Sequence, residues 1–186
     1  MEQSGAKMID GRALAAAVRE SVHERADALR TRGQRARLDA ILVHGNASSD
    51  IYAQNQAKTC ESLGIEYVLH ELPPEATYED IAGRVLLMNT DDDVSAIMVH
   101  LPLPEGIDTE RIQSLIAVEK DVEGVNPANI GNIVYGRRSL VPCTALAVME
   151  MIESTGVDLR GRRCVCVGAS NIVGKPMAVL LMRAQA

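Results

Sequence analysis

The sequence predicts an α/β layered fold with a mostly parallel sheet. Three observations carry that expectation. Short apolar runs alternate with helical stripes across short connections, in the order β-α-β-α-β. The third run leaves the sheet through a proline-rich break, His100-Leu101-Pro102-Leu103-Pro104. A further run near the C-terminus feeds a glycine-bearing turn and another helix, which reads as a second α/β unit.

The elements follow in order. Asp10 is a candidate N-cap. Leu14, Val18, Val22, Ala26 and Leu29 then recur at helical spacing, and Gly33 closes the segment. Leu38–Val43 reads as a strand, followed by the polar break 44–48 and a helix that Ser48 or Ser49 is expected to cap. Tyr52 and Gln56, four residues apart, share one face of that helix. Lys58 is the only lysine nearby, and its phase sets it about 200° from Gln56, away from Tyr52. The helix is expected to end near Gly64 and a second strand to run from Tyr67 to Leu72. After Pro73-Pro74, Thr77-x-x-Asp80 reads as a capping box, with Ile81, Val85, Leu86 and Met88 as the helical stripe. Asp91-Asp92-Asp93 reads as a solvated connection, because consecutive acids do not converge as metal ligands. Val94–Val99 is the third strand.

Prolines cannot extend a central strand, so the chain leaves the sheet at its carboxyl end, where open parallel sheets bind ligands. A short helix is expected over Thr109–Val118 and an irregular polar segment from Lys120 to Gly131. Pro142-Cys143-Thr144 introduces a helix over Ala145–Thr155, stopped by Gly156. The second unit is strand Cys164–Val167, the turn Gly168-Ala169-Ser170-Asn171-Ile172-Val173-Gly174, and an apolar helix to about Met182 with Pro176 in its first turn. A strand feeding such a turn presents backbone N–H groups and a helix dipole to an anion. The G-x5-G spacing is not the dinucleotide fingerprint, and a tight turn of small residues explains it equally.

Composition bounds the function. The 186 residues are 47% apolar, enough for a substantial core, with four Tyr and neither Phe nor Trp. The net charge of −6, without a basic run, argues against nucleic acid. No apolar stretch reaches the roughly 20 residues of a membrane helix, and Met1–Lys7 lacks the apolar run of a signal peptide. Cys60, Cys143, Cys164 and Cys166 read as buried thiols, with a metal site as the alternative. These bounds point to a cytoplasmic location, no metal and no membrane. The apolar stretch Val179–Met182 is expected to leave a face that favours association, so a homodimer is a candidate.

Taken together the segments resemble the bifunctional methylenetetrahydrofolate dehydrogenase/methenyltetrahydrofolate cyclohydrolase family, from Ile9-Asp10-Gly11 to the C-terminus. The resemblance rests on Ser49-x-x-Tyr52, Leu101-Pro102-Leu103-Pro104, Lys120-Asp121-Val122-Glu123-Gly124, Pro142-Cys143-Thr144 and Gly168-x-Ser170-x-Ile172-Val173-Gly174-x-Pro176. It implies a folate-binding catalytic domain over 1–143. Residues 144–186 would then be a linking helix and the first β-α unit of a Rossmann-type NAD(P)-binding domain. By the same resemblance, a tetrahydrofolate derivative is oxidised by NADP or NAD and the methenyl product hydrolysed. Ser49, Tyr52, Leu101, Pro102 and Glu123 would bind substrate. Gly168, Ser170, Asn171, Ile172 and Gly174 would bind cofactor. Tyr52, Gln56 and His100 would occupy catalytic positions.

The departures bear on chemistry. The family's catalytic lysine is replaced by Gln56, its glutamine before the Leu-Pro-Leu-Pro run by His100, and its pterin-binding aspartate by Glu123. Ala145 and Ala147 replace the usual Pro and Gly after Pro142-Cys143-Thr144, and Ala169 replaces an arginine that meets a cofactor phosphate. About 100 residues of a typical member have no counterpart, so the second unit reads as unfinished. Hydride transfer needs no protein proton donor. Hydrolysis does, and an amide cannot exchange a proton near pH 7. Dehydrogenase chemistry is therefore expected to outlast cyclohydrolase chemistry, with His100 either a substitute acid/base or a packed loop histidine. The competing expectations are a non-catalytic folate-binding or interaction protein and an unrelated nucleotide-binding module. The Tyr52 and Leu-Pro-Leu-Pro context speaks against the last.

Overall fold

A computed structural model describes residues 6, 8–137 and 140–186. The N-terminal segment Met1–Lys7 lies outside the described residues except for Ala6. The element order is α1 (Gly11–Thr31), β1 (Arg37–Val43), α2 (Ala47–Leu63), β2 (Glu66–Leu72), α3 (Tyr78–Thr90), β3 (Ala96–Val99), α4 (Thr109–Leu115), α5 (Pro127–Val134), α6 (Cys143–Glu153) and α7 (Gly174–Arg183).

The three strands form one parallel sheet in the order β2-β1-β3. Its strands alternate faces as the pleat requires. Ile41, Val43, Ile97 and Val99 point to the layer of α3 and α4, where Ile81, Val85, Met88 and Ile112 complete the main core. Each of these large aliphatic side chains contributes about 1.5–3 kcal/mol by leaving water. The opposite face carries Ala40, Leu42, Met98 and His100 towards α2, and α1 packs outside α2. The expected α/β layering with a parallel sheet is therefore what the chain adopts.

Local chemistry explains the boundaries. Asp10 caps α1 and Thr77 with Asp80 closes the reciprocal capping box of α3. Gly64 ends α2 at φ +71°, a conformation that costs glycine little. Three expectations are corrected. Neither Ser48 nor Ser49 caps α2: Asn46 does, its Oδ1 accepting from the N–H groups of both serines. Helix α4 stops at Leu115, because Ile116 turns extended and the Ala117 N–H is taken by Asn89 Oδ1. The segment 120–131 is not wholly irregular, since Asn126 caps α5 and Pro127 opens it.

The largest correction concerns Cys164–Val167. No strand forms there, and no described strand lies beside it; Val165 and Val167 are 86% and 97% exposed. Cys143, Cys164 and Cys166 are exposed as well, against the expectation of buried thiols, whereas Cys60 is buried as expected. A parallel strand needs neighbours for its backbone and both faces, and alternation of apolar residues does not supply them. Helix α7 fares better. Its Met177 and Leu181 pack on Ala145 and Met149 of α6, so much of the apolar face expected to be open is covered, while Met182 stays exposed.

Candidate functional site

The site lies at the carboxyl ends of β1 and β3. A cleft of about 410 Å³ opens there, lined by Asn46, Ser48, Ser49, Tyr52, Met98, Val99, His100, Leu101, Pro102 and Glu123. Three segments converge to build it. The N-terminus of α2 brings Asn46 through Tyr52. Strand β3 and its exit bring Met98 through Pro102. The loop after α4 brings Glu123.

Each segment is tied in place. Ser49 Oγ donates to the Leu101 carbonyl at 2.9 Å, fastening α2 to the proline-rich exit. The loop is held from two sides. Lys120 Nζ donates to the carbonyls of Met88, Asn89 and Asp91 at 3.1, 2.9 and 2.7 Å, where the C-terminus of α3 favours a cation. Asp121, fully buried, accepts from the N–H groups of Val125 and Asn126 and from Asn129 Nδ2. Gly124 sits at φ +65°, and a Cβ there would stand 2.5 Å from the Val141 carbonyl carbon. These contacts aim Glu123 into the cleft. Its carboxyl is pushed up to about 7, by burial first and by Asp121 second, against a backbone hydrogen bond from Val99.

The expected catalytic positions are placed as follows. Tyr52 is 57% exposed at the cleft, its ring edge-on to His100 at 5.6 Å between centroids. His100 is only 3% exposed. Its Nε2 meets Tyr67 Oη at 3.1 Å, and burial lowers its pKa. Gln56 does not line the cleft. Its Nε2 donates to Met98 Sδ at 3.0 Å, and its Oε1 is sealed from water without a hydrogen-bond partner. Lys58 is exposed on another face, beside Gln54, Glu61 and Ile65. Among the described residues, therefore, no lysine lines the cleft. Among the described residues no cluster of three or more His, Cys, Asp or Glu is placed to hold a metal.

The second candidate region is the turn before α7. A Cβ on Gly174 would collide with the Gly168 carbonyl oxygen, so the turn closes only around glycine. Ser170 Oγ accepts from the N–H groups of Val173 and Gly174 at 3.2 and 3.4 Å. The N–H groups of 169–172 make no backbone hydrogen bond among the described residues, and such a row fits an anion. Asn171 is otherwise engaged: its Nδ2 donates to Glu110 Oε1 and its Oδ1 accepts from Lys175 Nζ, both at 2.6 Å. Ile172 lines a separate hollow of about 240 Å³ with Glu110, Gln113 and Val125. The positions expected from sequence to meet substrate and cofactor thus lie in two regions rather than one.

Two family profiles match the chain. The tetrahydrofolate dehydrogenase/cyclohydrolase catalytic domain matches residues 9–123, and the NAD(P)-binding domain of the same proteins matches residues 142–186. The chain belongs to the tetrahydrofolate dehydrogenase/cyclohydrolase family. Among its relatives is the bifunctional protein FolD of Bordetella avium, 43% identical over 181 residues, which cover 97% of this chain and 64% of that protein. The FolD of Polynucleobacter asymbioticus is 41% identical over the same coverage. The crystal structure of FolD from Campylobacter jejuni superposes with a TM-score of 0.94 at 38% identity, covering 97% of this chain and 64% of that one. The Trypanosoma brucei enzyme, solved complexed with NADP cofactor and inhibitor, gives 0.90 at 35% identity, covering 97% and 62%. The chain thus spans about 64% of the length of the curated relatives it matches. No described helix is long and apolar enough to cross a membrane.

Tyr67, Asn46 and Met98 were not among the residues singled out from sequence. A signal for Tyr67 exists. It pairs in register with Leu38, on the face that also carries Ala40 and Met98. Its partner His100 becomes visible only once three strands are ordered.

Proposed function

We propose that the cleft binds a tetrahydrofolate derivative and serves NAD(P)-dependent oxidation of 5,10-methylenetetrahydrofolate, with methenyl hydrolysis weak or lost. The observation that carries this reading is the lining of the cleft: a tyrosine ring, a proline-rich wall and a carboxyl group, with no lysine among the described residues. Tyr52 offers a ring face, Leu101 and Pro102 an apolar wall, and Glu123 an acceptor when ionised. NADP or NAD, when bound, takes the hydride. The chain's part in that step is to hold the reacting carbon of the folate and keep water from it. Ser170, Gly174 and the N–H groups of 169–172 are the groups that fit a cofactor phosphate. In this reading residues 1–143 bind folate and 144–186 begin the cofactor-binding part, a division supported by the second profile match starting at residue 142.

Hydrolysis needs a group that moves a proton. Gln56 cannot, and its engagement with Met98 keeps it outside the cleft. A second reading, a folate-binding protein without turnover, is supported by the unpaired segment 164–167. The test is assay of both reactions in the chain and in Gln56→Lys, with binding of 5-formyltetrahydrofolate measured first. Binding with a cyclohydrolase rate raised about 10²- to 10⁴-fold by the lysine supports the enzyme reading. Binding with no turnover in either protein supports the second. Absence of binding defeats both.

A further inference from the structure

Tyr67 has no place in the chemistry above, yet its half-buried phenol reaches the back of the cleft at His100. It enters at the start of β2, in register with Leu38. From there it lies over the face where Ala40, fully buried and small, leaves room. Its oxygen meets His100 Nε2 at 3.1 Å and has no other hydrogen-bond partner among the described residues. The direction of this bond follows from what each atom would otherwise lose. If His100 Nε2 carried the proton and donated, the phenol's own hydrogen would have no acceptor among the described residues. If the phenol donates, both groups are satisfied by one bond.

His100 Nδ1 has no partner among the described residues, and it is not a sealed atom as Gln56 Oε1 is. The ring itself lines the cleft and stands T-shaped against Tyr52. We propose that Tyr67 is a positioning residue for His100: its phenol donates to Nε2 and fixes the neutral ring with its proton on Nδ1. That N–H is presented to the cleft as a donor for the cyclic amide oxygen of a bound heterocycle. The ligand part rests on the folate reading, whereas the tautomer does not. The protonation directions agree with this arrangement. Burial raises the Tyr67 phenol to about 12, so it keeps its hydrogen, and burial lowers His100, so the ring stays neutral.

One chemical consequence is specific. A ring with Nε2 occupied by a phenol and Nδ1 already protonated has no free lone pair for the cleft. His100 then serves as a hydrogen-bond donor and does not replace the lysine absent at position 56.

The test uses the whole chain labelled with ¹⁵N-histidine, with His100→Gln to assign the His100 signals among the four histidines. Long-range ¹H–¹⁵N correlation spectra are recorded between about pH 6 and 8, where an ordinary histidine changes its charge. His100 is expected as the neutral Nδ1–H tautomer throughout. In Tyr67→Phe the tautomer is expected to shift towards Nε2–H. A wild-type ring protonated on Nε2 overturns the proposal without any variant having to fold, as does a tautomer unchanged in Tyr67→Phe. For the ligand part, Tyr67→Phe is expected to weaken 5-formyltetrahydrofolate binding about 2- to 10-fold. Unchanged affinity beside an altered tautomer overturns the donor role. If the wild-type chain does not bind that probe, the folate reading fails, and the ligand-free spectrum still upholds or overturns the pairing.

Discussion

Two stretches of this chain carry similar apolar patterns and meet different fates. Ala40-Ile41-Leu42-Val43 is buried at the centre of the sheet, bonded to β2 on one side and β3 on the other. Cys164-Val165-Cys166-Val167 has equal claim by composition, yet it stands exposed beside no strand. What separates them is what lies next to them. A strand interior to a parallel sheet gains its stability from two ladders and two covered faces, and 164–167 has neither.

The sharpest way to break this contrast is hydrogen exchange on the folded chain. Amides of Ile41 and Leu42 are expected to exchange at least about 10³-fold more slowly than those of Val165 and Cys166, because the former open only with large-scale unfolding. Equal protection would mean that 164–167 finds a partner in solution, and the two regions would no longer differ in kind.

Legibility from sequence follows the same divide. Elements whose cause is local were readable: the Thr77–Asp80 box, the Gly64 stop, the stripe of α3 and the prolines that end β3. The cleft walls Ser49, Tyr52, Leu101, Pro102 and Glu123 were named, and the fold gathers them into one cleft. What depended on distant neighbours was not readable. Asn46 outcompetes two serines because its side chain reaches both of their N–H groups. Gln56 shares its phase with Tyr52, but Met98, 42 positions on, decides where the amide goes. Tyr67 and His100 meet across a strand that neither belongs to.

Polar networks sharpen the comparison further. Asp121 is buried and satisfies three donors, so Asp121→Ala strands Val125 N–H and Asn126 N–H without that acceptor and leaves Asn129 Nδ2 one bond fewer, beside its bond to the Val118 carbonyl. A loss of about 2–5 kcal/mol is expected by urea denaturation, and the loop bearing Glu123 is expected to loosen with it. In the second region the charged pair Asp158–Arg160 is solvent-exposed, and replacing either residue is expected to leave the midpoint nearly unchanged.

Glu123 extends the contrast to pH. Its folded carboxyl titrates near 7, against an ordinary value of 4.5 when unfolded. Below about 4.5 both states are protonated and no penalty exists. As pH rises towards 7 the unfolded chain ionises first, so stability falls, by on the order of 2 kcal/mol after allowance for partial exposure. Glu123→Gln is expected to flatten that part of the melting-temperature profile. A wild-type profile already flat between about pH 4.5 and 7 would show that Glu123 is better solvated than its surroundings imply. Asp158 moves the other way, since the hydrogen bonds from Arg160 hold its carboxyl below the usual range.

The smallest effect tests whether the second region holds local order without a sheet. Ser170 Oγ accepts from Val173 and Gly174, taking the place of a cap at the start of α7, where no side chain of Val173 can serve. Both acceptor and donors are exposed, so water replaces the hydroxyl at little cost, and Ser170→Ala is expected to lose only about 0.5–1 kcal/mol. The turn itself should persist, because the close approach of Gly174 to the Gly168 carbonyl does not depend on the serine. Gly174→Ala supplies the contrast: its Cβ has no room against backbone, and α7 is expected to lift from Ala145 and Met149 of α6. A tolerated Gly174→Ala, read by unchanged helical circular dichroism and melting, would show that the turn is not fixed in this form. The row of N–H groups at 169–172 would then lose its standing as a preformed anion cradle.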